Sequence, residues 1–275
     1  ARDTQCSLPA VARSDWHHRR MTRGRSPAAL TIAGSDPSGG AGVQADLATF
    51  RAHEVWGLSA ITALGAQAAA RVLGVFPVDP RVLKAQLVGV PDGAALAAKT
   101  GMLATPELVA AAARWLREAG ISNLVVDPVL WASDGTVLLE GGAGSLVGWL
   151  LPLATLATPN LAEAAALAGM SKVRDREGMH EAATRLMAMG LRAVLVTGGH
   201  LVQEGDLAGT VTDLFVDADG AAWLDAPRVE GPGMHGTGCV LSAAITARLA
   251  RGDALRTAVD GGRAYVAGAI ARAGE

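Results

Sequence analysis

The hydrophobic pattern of the chain alternates between two periods. Short apolar runs rich in Val, Ile and Leu are followed by longer stretches in which apolar residues recur at helical spacing. Parallel strands joined by crossover helices produce this alternation, so it predicts an α/β fold with a central, mostly parallel sheet. The predicted strands are 28–33, 57–64, 97–100, 123–126, 153–157, 193–196, 209–216 and 221–225. The predicted helices are 42–53, 80–88, 106–119, 161–168, 179–189, 238–251 and 253–273.

Most of the predicted strands lack polar alternation, which is typical of strands covered on both faces. The segments 210–215 and 221–224 differ, because they flank a turn at 217–220 and together predict an antiparallel hairpin late in the chain. No repeat with a period of about 20–50 residues occurs, and no polar linker separates two halves. We therefore expect one domain over 27–275.

The first 26 residues do not share this pattern. They carry six arginines and no continuous apolar segment that could serve as a signal peptide. We expect a disordered N-terminal extension over 1–26.

Composition and charge exclude several classes of partner. Of 275 residues, 50% are hydrophobic and 18% charged, which is typical of a globular chain. A net charge of −2 and 4% aromatic residues provide neither a cationic surface nor stacking platforms, so no nucleic-acid partner is expected.

The most apolar stretch, 143–157, is shorter than the about 20 residues of a membrane helix and contains Pro152, so it predicts buried core and no membrane contact. The two cysteines, Cys6 and Cys239, cannot form a disulfide framework, which indicates the cytoplasm.

A glycine-rich turn, GSDPSGGAG at 34–42, follows the first predicted strand and opens a helix. Such turns bring backbone N–H groups close to a ligand. A Walker loop would need Lys and Ser or Thr where Gly40 and Ala41 stand, and the G-x-G-x-x-G fingerprint is absent. Asp36 sits at the carboxyl end of a strand, where open α/β sheets bind ligands, and is a candidate for holding a substrate hydroxyl. A tight strand-to-helix turn without a ligand is the alternative.

A second turn, HGTGC at 235–239, precedes another predicted helix. The N–H groups from Gly236 to Cys239 would converge on an anion at the positive end of that helix. The same position lowers the pKa of a thiol, so we expect Cys239 to be partly thiolate at neutral pH and to act as a base or an orienting group. The alternative is a small buried residue, which free cysteines often are. His235 is interpreted as an ordinary loop or core histidine.

Two further carboxylates follow predicted strands. In TPNLAE at 158–163, Asn160 and Glu163 have the spacing of a helix capping box, and Glu163 could alternatively hold the water shell of Mg²⁺ beside phosphates. Asp127, in DPV at 127–129, is either a turn-former or part of the same metal shell. Lys99 is the one lysine that follows a buried strand. No His/Cys cluster with zinc spacing and no Ser–His–Asp set is evident.

The order of these motifs resembles that of the hydroxymethylpyrimidine/phosphomethylpyrimidine kinases, which are thiamine-pathway enzymes of the ribokinase-like fold. The resemblance spans roughly residues 28–273, and its first and last motifs together are highly specific. It rests on AGSDPSGGAGVQADL (33–47), ITAL (61–64) with AQ (66–67), KTGML (99–103), DPV (127–129), TPN (158–160), GGH (198–200) and HGTGC (235–239).

The resemblance implies a three-layer α/β/α sandwich in which ATP and Mg²⁺ act on a small pyrimidine. It implies that Gln67 hydrogen-bonds the aminopyrimidine edge, and that the pocket is lined by Gly34, Asp36, Ala41, Met102 and Val129. The transferring phosphoryl group would be held by Gly236, Thr237, Gly238 and Cys239, with Cys239 as the base. The residues implied for ATP are Asn160, Glu163 and Thr197, and those implied for the metal are Asp127 and Glu163.

The chain departs from this family in ways that leave alternatives open. Thr197 and Ser133 stand where the family commonly carries lysines, which removes positive charge near the phosphates. Gly65 replaces a larger residue, which predicts a wider pocket. The leading hypothesis is a kinase of 4-amino-5-hydroxymethyl-2-methylpyrimidine or its monophosphate. The alternatives are a pyridoxal kinase and a non-catalytic pyrimidine-binding protein that has lost the phosphate-binding lysines. A homodimer is carried as a hypothesis, because the sequence does not set the oligomeric state.

Overall fold

The computed structural model describes residues 27–68, 71–91, 93–199, 201, 209–229 and 236–273. The strands are β1 (Ala28–Ser35), β2 (Trp56–Ala68), β3 (Arg71–Pro77), β4 (Ala97–Thr100), β5 (Leu124–Val126), β6 (Leu156–Ala157), β7 (Val194–Val196), β8 (Thr210–Asp217) and β9 (Gly220–Pro227). The helices are α1 (Gly42–Ala52), α2 (Pro80–Val88), α3 (Pro106–Glu118), α4 (Gly144–Trp149), α5 (Leu161–Leu167), α6 (Arg176–Ala188), α7 (Thr237–Ala250) and α8 (Leu255–Ala273). The predicted extension over 1–26, and His235, lie outside the described residues.

The nine described strands form one sheet in the order β3-β2-β1-β4-β5-β6-β7-β8-β9. The six strands from β2 to β7 in that order pair in parallel. β3 is antiparallel at one edge, and β8 and β9 are antiparallel at the other. The predicted α/β class, the mostly parallel sheet and the late hairpin are confirmed.

Helices cover both faces of the sheet, which completes the three-layer sandwich. On one face, α1, α7 and α8 contribute Phe50, Ile245 and Val259 to a buried core. On the other face, α2, α3, α5 and α6 form the second core, with Leu83 and Leu108 among its fully buried residues. Burying a side chain of this size stabilises the fold by about 1.5–3 kcal/mol, so the two cores hold the layers together.

Helix α7 is buried on nearly all sides. Every residue from Leu241 to Ala247 is buried, because α7 lies between the sheet and the helices α1 and α8. Helices that are apolar all round are typically enclosed in this way. In its second turn, the Ser242 hydroxyl donates to the carboxylate of Asp127, which directly follows β5. The N-terminus of α7 therefore lies near the carboxyl ends of the central strands.

Two predictions of local structure are wrong. Of the predicted strand 153–157, only Leu156–Ala157 form a strand, β6, because a 3₁₀ turn over Leu151–Leu153 precedes it and the N–H groups of Leu153 and Ala154 donate to the carbonyls of Leu150 and Leu151. The sequence analysis missed β3 and ended β2 at Leu64, whereas β2 continues to Ala68 and pairs with β3. β3 is an edge strand with no fully buried position, so its residues do not show the apolar run of a central strand.

The segment 143–157 contributes to the interior as predicted, since Leu146, Leu150 and Leu151 are buried. Within the described part of the chain, no helix combines the length and apolarity needed to cross a bilayer.

Candidate active site

Two glycine-rich turns meet at the carboxyl edge of the sheet. Gly236, directly before α7, has a φ of +86°, a left-handed conformation that favours glycine. A Cβ atom on Gly236 would lie 2.0 Å from the Gly40 carbonyl oxygen and 3.1 Å from the Ala41 Cα atom. The turn over 34–42 and the start of α7 are therefore in direct backbone contact, and only glycine permits an approach this close.

The carboxylate of Asp36 shapes the first of these turns. It is almost fully buried, and its two oxygens accept from the backbone N–H groups of Ser38 and Ala41, each at 2.9 Å. The Ser38 hydroxyl donates to the same carboxylate at 2.8 Å. Asp residues stabilise turns in this way. Asp36 therefore stabilises a tight strand-to-helix turn, which was the alternative to ligand binding. The predicted contact between Asp36 and a substrate hydroxyl stays a prediction.

The predicted pocket residues Gly34, Ala41 and Met102 come together. A Cβ atom on Gly34 would lie 2.0 Å from the Met102 Cε atom, so the thioether side chain occupies the space above Gly34. The Met102 carbonyl accepts from the Thr62 hydroxyl at 2.6 Å, which holds this loop against β2. Gly42, next to Ala41, packs against the Gly34 carbonyl, since a Cβ atom there would lie 2.4 Å from that oxygen.

Gln67 and Val129 lie at the same edge of the sheet. Gln67 is half-buried near the end of β2, three residues beyond Leu64, which pairs with Ser35. Val129 is half-buried after β5. Their predicted contacts with a substrate ring stay predictions. A Cβ atom on Gly65 would lie 2.7 Å from the Ser35 carbonyl oxygen, so glycine allows β2 and β1 to approach closely here, and the wider pocket stays a prediction.

The start of α7 has the geometry of an anion site. The first backbone N–H groups of a helix lack acceptors within it, and the aligned peptide dipoles add partial positive charge there. The residue before α7 is Gly236, which has no side chain to cap the amides of Thr237, Gly238 and Cys239. Helix α7 is 14 residues long, so its dipole is well developed. That these amides hold a phosphoryl group stays a prediction.

The pKa predicted for Cys239 is wrong in direction. Cys239 as a residue is only half-buried, yet loss of hydration around the thiol raises its pKa to about 12. Lys99 lowers this pKa, Asp127 and Asp46 raise it, and the Gly42 N–H lowers it by donating to the sulphur. The thiol is therefore protonated at neutral pH in the free protein. Lost hydration, together with the two carboxylates, therefore outweighs the start of the helix, which by itself would lower the pKa of the thiol.

A buried ion pair lies next to this thiol. The Lys99 Nζ atom is 2.7 Å from Oδ1 of Asp46 on α1 and 3.9 Å from Oδ2 of Asp127. The Thr31 hydroxyl donates to Asp46 at 2.6 Å, and the Ser242 hydroxyl donates to Asp127 at 2.9 Å. Burial lowers the pKa of Lys99, but its acidic neighbours outweigh burial and leave the pKa raised, so the ammonium stays charged. The network joins α1 to α7, the two helices that begin at the glycine turns.

Sequence reasoning named Lys99 without a partner and missed Asp46, Thr31 and Ser242. A signal for Asp46 was present. It lies on the apolar face of α1, between Val43 and Phe50, where an acidic residue is buried only with a partner.

The capping box over 160–163 is confirmed. The Glu163 N–H donates to Oδ1 of Asn160 at 3.0 Å, and the Asn160 N–H donates to Oε2 of Glu163 at 2.9 Å. Thr197 lies beside them, because its N–H donates to the Pro159 carbonyl at 2.9 Å and it forms a bridge with Asn160. The three residues predicted for ATP are therefore close together, and their contact with the nucleotide stays a prediction.

The carboxylates of Glu163 and Asp127 suit a cation. Burial and repulsion by Asp127 raise the pKa of Glu163 to about 8, although the backbones of Asn160 and Leu130 lower it. Burial also raises the pKa of Asp127. Hard oxygen ligands are what Mg²⁺ prefers, and a nearby cation would relieve the repulsion between two buried carboxylates. Among the described residues, no third His, Cys, Asp or Glu joins these two carboxylates in a metal-binding group, so the predicted magnesium ion stays a prediction.

Comparison with known proteins gives consistent matches over most of the chain. The family model described as phosphomethylpyrimidine kinase matches residues 36–275. The hydroxymethylpyrimidine/phosphomethylpyrimidine kinase of Rhizobium meliloti is 47% identical over 247 residues, which cover 89% of this chain and 91% of that protein. The pyridoxine kinase of Bacillus subtilis is 39% identical over 246 residues, which cover 88% and 89%. The structure of the Staphylococcus aureus pyridoxal kinase with AMP-PCP and pyridoxal has a TM-score of 0.81 at 36% identity, covering 90% of this chain and 89% of that one.

The contact between the two glycine turns predicts the effect of Gly236→Ala. The new methyl group would collide with the Gly40 carbonyl and strain the left-handed backbone, so we expect a loss of stability of about 1–3 kcal/mol. Turnover should fall about a hundredfold, because a displacement of about 1 Å at a reacting centre costs that much. Chemical denaturation and initial rates measure the two effects. The control is Gly148→Ala in α4, where a Cβ atom meets nothing within 4 Å. Wild-type stability and turnover in Gly236→Ala would contradict the close approach.

The raised pKa of Cys239 predicts slow alkylation. In a Cys6→Ser background, Cys239 of the folded protein should react with iodoacetamide at pH 8 at least about a hundredfold more slowly than in the unfolded chain, whose thiol pKa is about 8.5. The rate should keep rising with pH beyond about 10, because the thiolate forms only there. A rate that levels off between pH 7 and 8 would show a thiolate and restore the original expectation.

Proposed function

The chain belongs to the phosphomethylpyrimidine kinase family, and from that premise we propose how its residues carry out the phosphoryl transfer. The protein is a phosphotransferase of thiamine biosynthesis that acts on 4-amino-5-hydroxymethyl-2-methylpyrimidine, its monophosphate or both. What we propose is the place of the reaction, the role of each residue and the use of Mg²⁺.

The backbone contact between Gly236 and Gly40 is the observation that carries the proposal. A kinase must hold the acceptor hydroxyl against the phosphoryl group, and positioning supplies most of the rate in such reactions. In this protein the turn predicted to cover the acceptor touches the helix start predicted to hold the phosphoryl group. The reaction would take place between them.

On the acceptor side, the pyrimidine ring would lie beneath the turn at Gly34, against the Met102 side chain. The Gln67 amide would hydrogen-bond the aminopyrimidine edge. Val129 and Ala41 would line the rest of the pocket. Asp36 supports this side by holding the turn, since its carboxylate binds the N–H groups of Ser38 and Ala41.

On the donor side, ATP would lie with its phosphates at the start of α7. The Staphylococcus aureus pyridoxal kinase binds AMP-PCP, which is an ATP analogue, and this supports ATP as the donor here. Asn160, Glu163 and Thr197 would contact the nucleotide, and Asp127 and Glu163 would hold Mg²⁺. When bound, the metal ion would neutralise charge on the phosphates and orient them.

In the reaction, the hydroxymethyl oxygen bonds to the γ-phosphorus, the bond from that phosphorus to the bridging oxygen of ADP breaks, and the hydroxyl proton passes to water. The amides of Thr237, Gly238 and Cys239 would hold the phosphoryl oxygens as charge moves onto ADP. The raised pKa of Cys239 argues against a thiolate base, so we assign its thiol an orienting contact with the acceptor. A loose transition state needs little help from a base.

Thr197 and Ser133 stand where the family commonly carries lysines. The missing positive charge near the phosphates predicts slower turnover. One missing transition-state contact costs about 2.7–4 kcal/mol, or about a hundred- to thousandfold in rate. Membership of the kinase family favours an enzyme over the non-catalytic pyrimidine-binding protein. A homodimer, a cytoplasmic location and the absence of nucleic-acid and membrane partners stay predictions.

Pyridoxal is the second candidate acceptor. It is also a heteroaromatic ring with a hydroxymethyl group, and the chain is 36–39% identical to a pyridoxine kinase and to a pyridoxal kinase of known structure. The higher identity to the Rhizobium meliloti enzyme, 47%, favours the pyrimidine.

A comparison of acceptors tests the proposed function. Initial rates of ADP release with Mg-ATP should give a higher kcat/KM for the pyrimidine or its monophosphate than for pyridoxal. A higher value for pyridoxal would reassign the acceptor. Calorimetric binding of the pyrimidine with no nucleotide binding and no turnover would support the non-catalytic protein.

Two substitutions separate the proposed roles of Cys239 and Gln67. Cys239→Ala should lower kcat about ten- to hundredfold with little change in the KM for the pyrimidine, because it removes an orienting contact at the reacting group. Gln67→Ala should mainly raise that KM, because it removes a contact with the ring that is the same in ground and transition states. Steady-state kinetics measure both. An unchanged kcat for the first variant would remove Cys239 from the mechanism, and an unchanged KM for the second would place the ring elsewhere.

A further inference from the structure

Asp134 joins two parts of the chain that leave the sheet from different strands. Its Oδ1 atom accepts from the Thr136 N–H at 3.0 Å, which closes a local turn of the kind that Asp residues commonly form. Its Oδ2 atom accepts from the Val72 N–H at 3.0 Å, although the two residues are 62 positions apart. Hydrogen bonds from the side chain and backbone of Thr136 and from Val72 lower the pKa of Asp134 to about 2, so both oxygens are acceptors at neutral pH. The local turn needs only one of them.

The bond to Val72 falls on a hairpin that extends past the carboxyl edge of the sheet. The pairing of β2 with β1 ends at Leu64, whereas its pairing with β3 continues to Ala68. The part of β2 beyond Leu64 therefore leaves the sheet together with β3. Gln67 lies in this part and pairs with Val72. Asp134 thus holds the backbone directly opposite the residue that is proposed to bind the aminopyrimidine edge.

Asp134 itself lies at the tip of a second, smaller hairpin, which follows β5. Trp131 and Val137 form an antiparallel bridge in this hairpin. Its base is anchored in the protein interior, because Leu130 and Leu139 are buried. The exposed carboxylate is therefore carried by a fixed stem.

The two hairpins meet across the acceptor side of the site. In the sheet, β5 and β3 are separated by β4, β1 and β2. Neighbouring strands lie about 4.8 Å apart, so β5 and β3 lie about 19 Å from each other. The contact between Asp134 and Val72 spans the carboxyl ends of the three strands between them. Gly34 near the end of β1 and Met102 after β4, two residues of the predicted acceptor pocket, lie at those ends.

We propose that Asp134 is a positioning residue for the acceptor, which fixes the β2–β3 hairpin through the Val72 N–H and thereby holds Gln67 against the substrate ring. The inference rests on the proposed function, which places the ring at Gln67. The bond is single and exposed, so it breaks at a small cost and allows the ring to enter and leave.

The test variant is Asp134→Asn in the full chain. An amide has one oxygen, so asparagine of the same size cannot accept fully from both Thr136 and Val72. Hydrogen exchange of the Val72 amide, followed by NMR, should become faster than in the wild type. The KM for the pyrimidine should rise about two- to tenfold, the range expected for one lost hydrogen bond, with kcat and the KM for ATP unchanged. If Val72 exchange shows that the asparagine oxygen stays on this N–H, Asp134→Ala, which removes both bonds, takes its place.

A double-mutant cycle separates positioning from a general loosening of the site. If Asp134 acts through Gln67, the Asp134→Asn substitution should not raise the KM for the pyrimidine further in a Gln67→Ala background. Asp79→Asn is the matched control. Asp79 is also exposed, accepts from a backbone N–H, that of Arg81, at 2.8 Å and has a pKa lowered to about 2, but it caps α2. Asp79→Asn should leave both KM values unchanged.

The inference is overturned if the variant that frees the Val72 amide keeps the wild-type KM for the pyrimidine, or if its KM for ATP rises equally. It is also overturned if the effects of the Asp134 and Gln67 substitutions add, or if Asp79→Asn raises the KM for the pyrimidine as much. A wild-type KM in Gln67→Ala would instead contradict the proposed place of the ring, and the inference would fall with it.

Discussion

The proposed reaction of this protein depends on one close approach between two stretches of backbone. Gly236 and Gly40 touch without side chains between them, and this contact sets the start of α7 against the turn after β1. Each turn alone is a common strand-to-helix connection or helix start. Together they place the backbone amides at the start of α7 against the turn whose Gly34 packs on the Met102 side chain. In the proposed function, the phosphoryl group and the hydroxyl of the aromatic ring react where these two elements meet.

A buried ion pair at Lys99 stabilises this contact between the two turns. Lys99 pairs with Asp46 on α1 and lies near Asp127, which binds Ser242 on α7. Buried ion pairs add little net stability, but breaking one is costly, so they fix which elements lie together. Here the pair fixes the two helices that begin at the glycine turns. The same carboxylates that anchor the helices also raise the pKa of Cys239, which links the architecture to the protonation state of the thiol.

The features that could be predicted from the sequence are those with a local signal. The buried strands, the late hairpin, the capping box at Asn160 and the glycine turns each have a spacing or a residue type that indicates them. The rest depends on distant contacts. The partner of Lys99 is 53 residues away, and β3 becomes a strand by pairing with β2. The pKa of Cys239 depends on lost hydration and on the carboxylates of Asp46 on α1 and Asp127 after β5, which no pattern near residue 239 encodes.

A crystal structure with the pyrimidine, Mg²⁺ and AMP-PCP bound tests the central claim most directly. The account predicts that the γ-phosphate lies within about 3 Å of the Gly238 and Cys239 amide nitrogens, with the hydroxymethyl oxygen facing it and the ring against Gly34 and Met102. A γ-phosphate bound away from the start of α7, or a ring outside the space beneath Gly34, would contradict it.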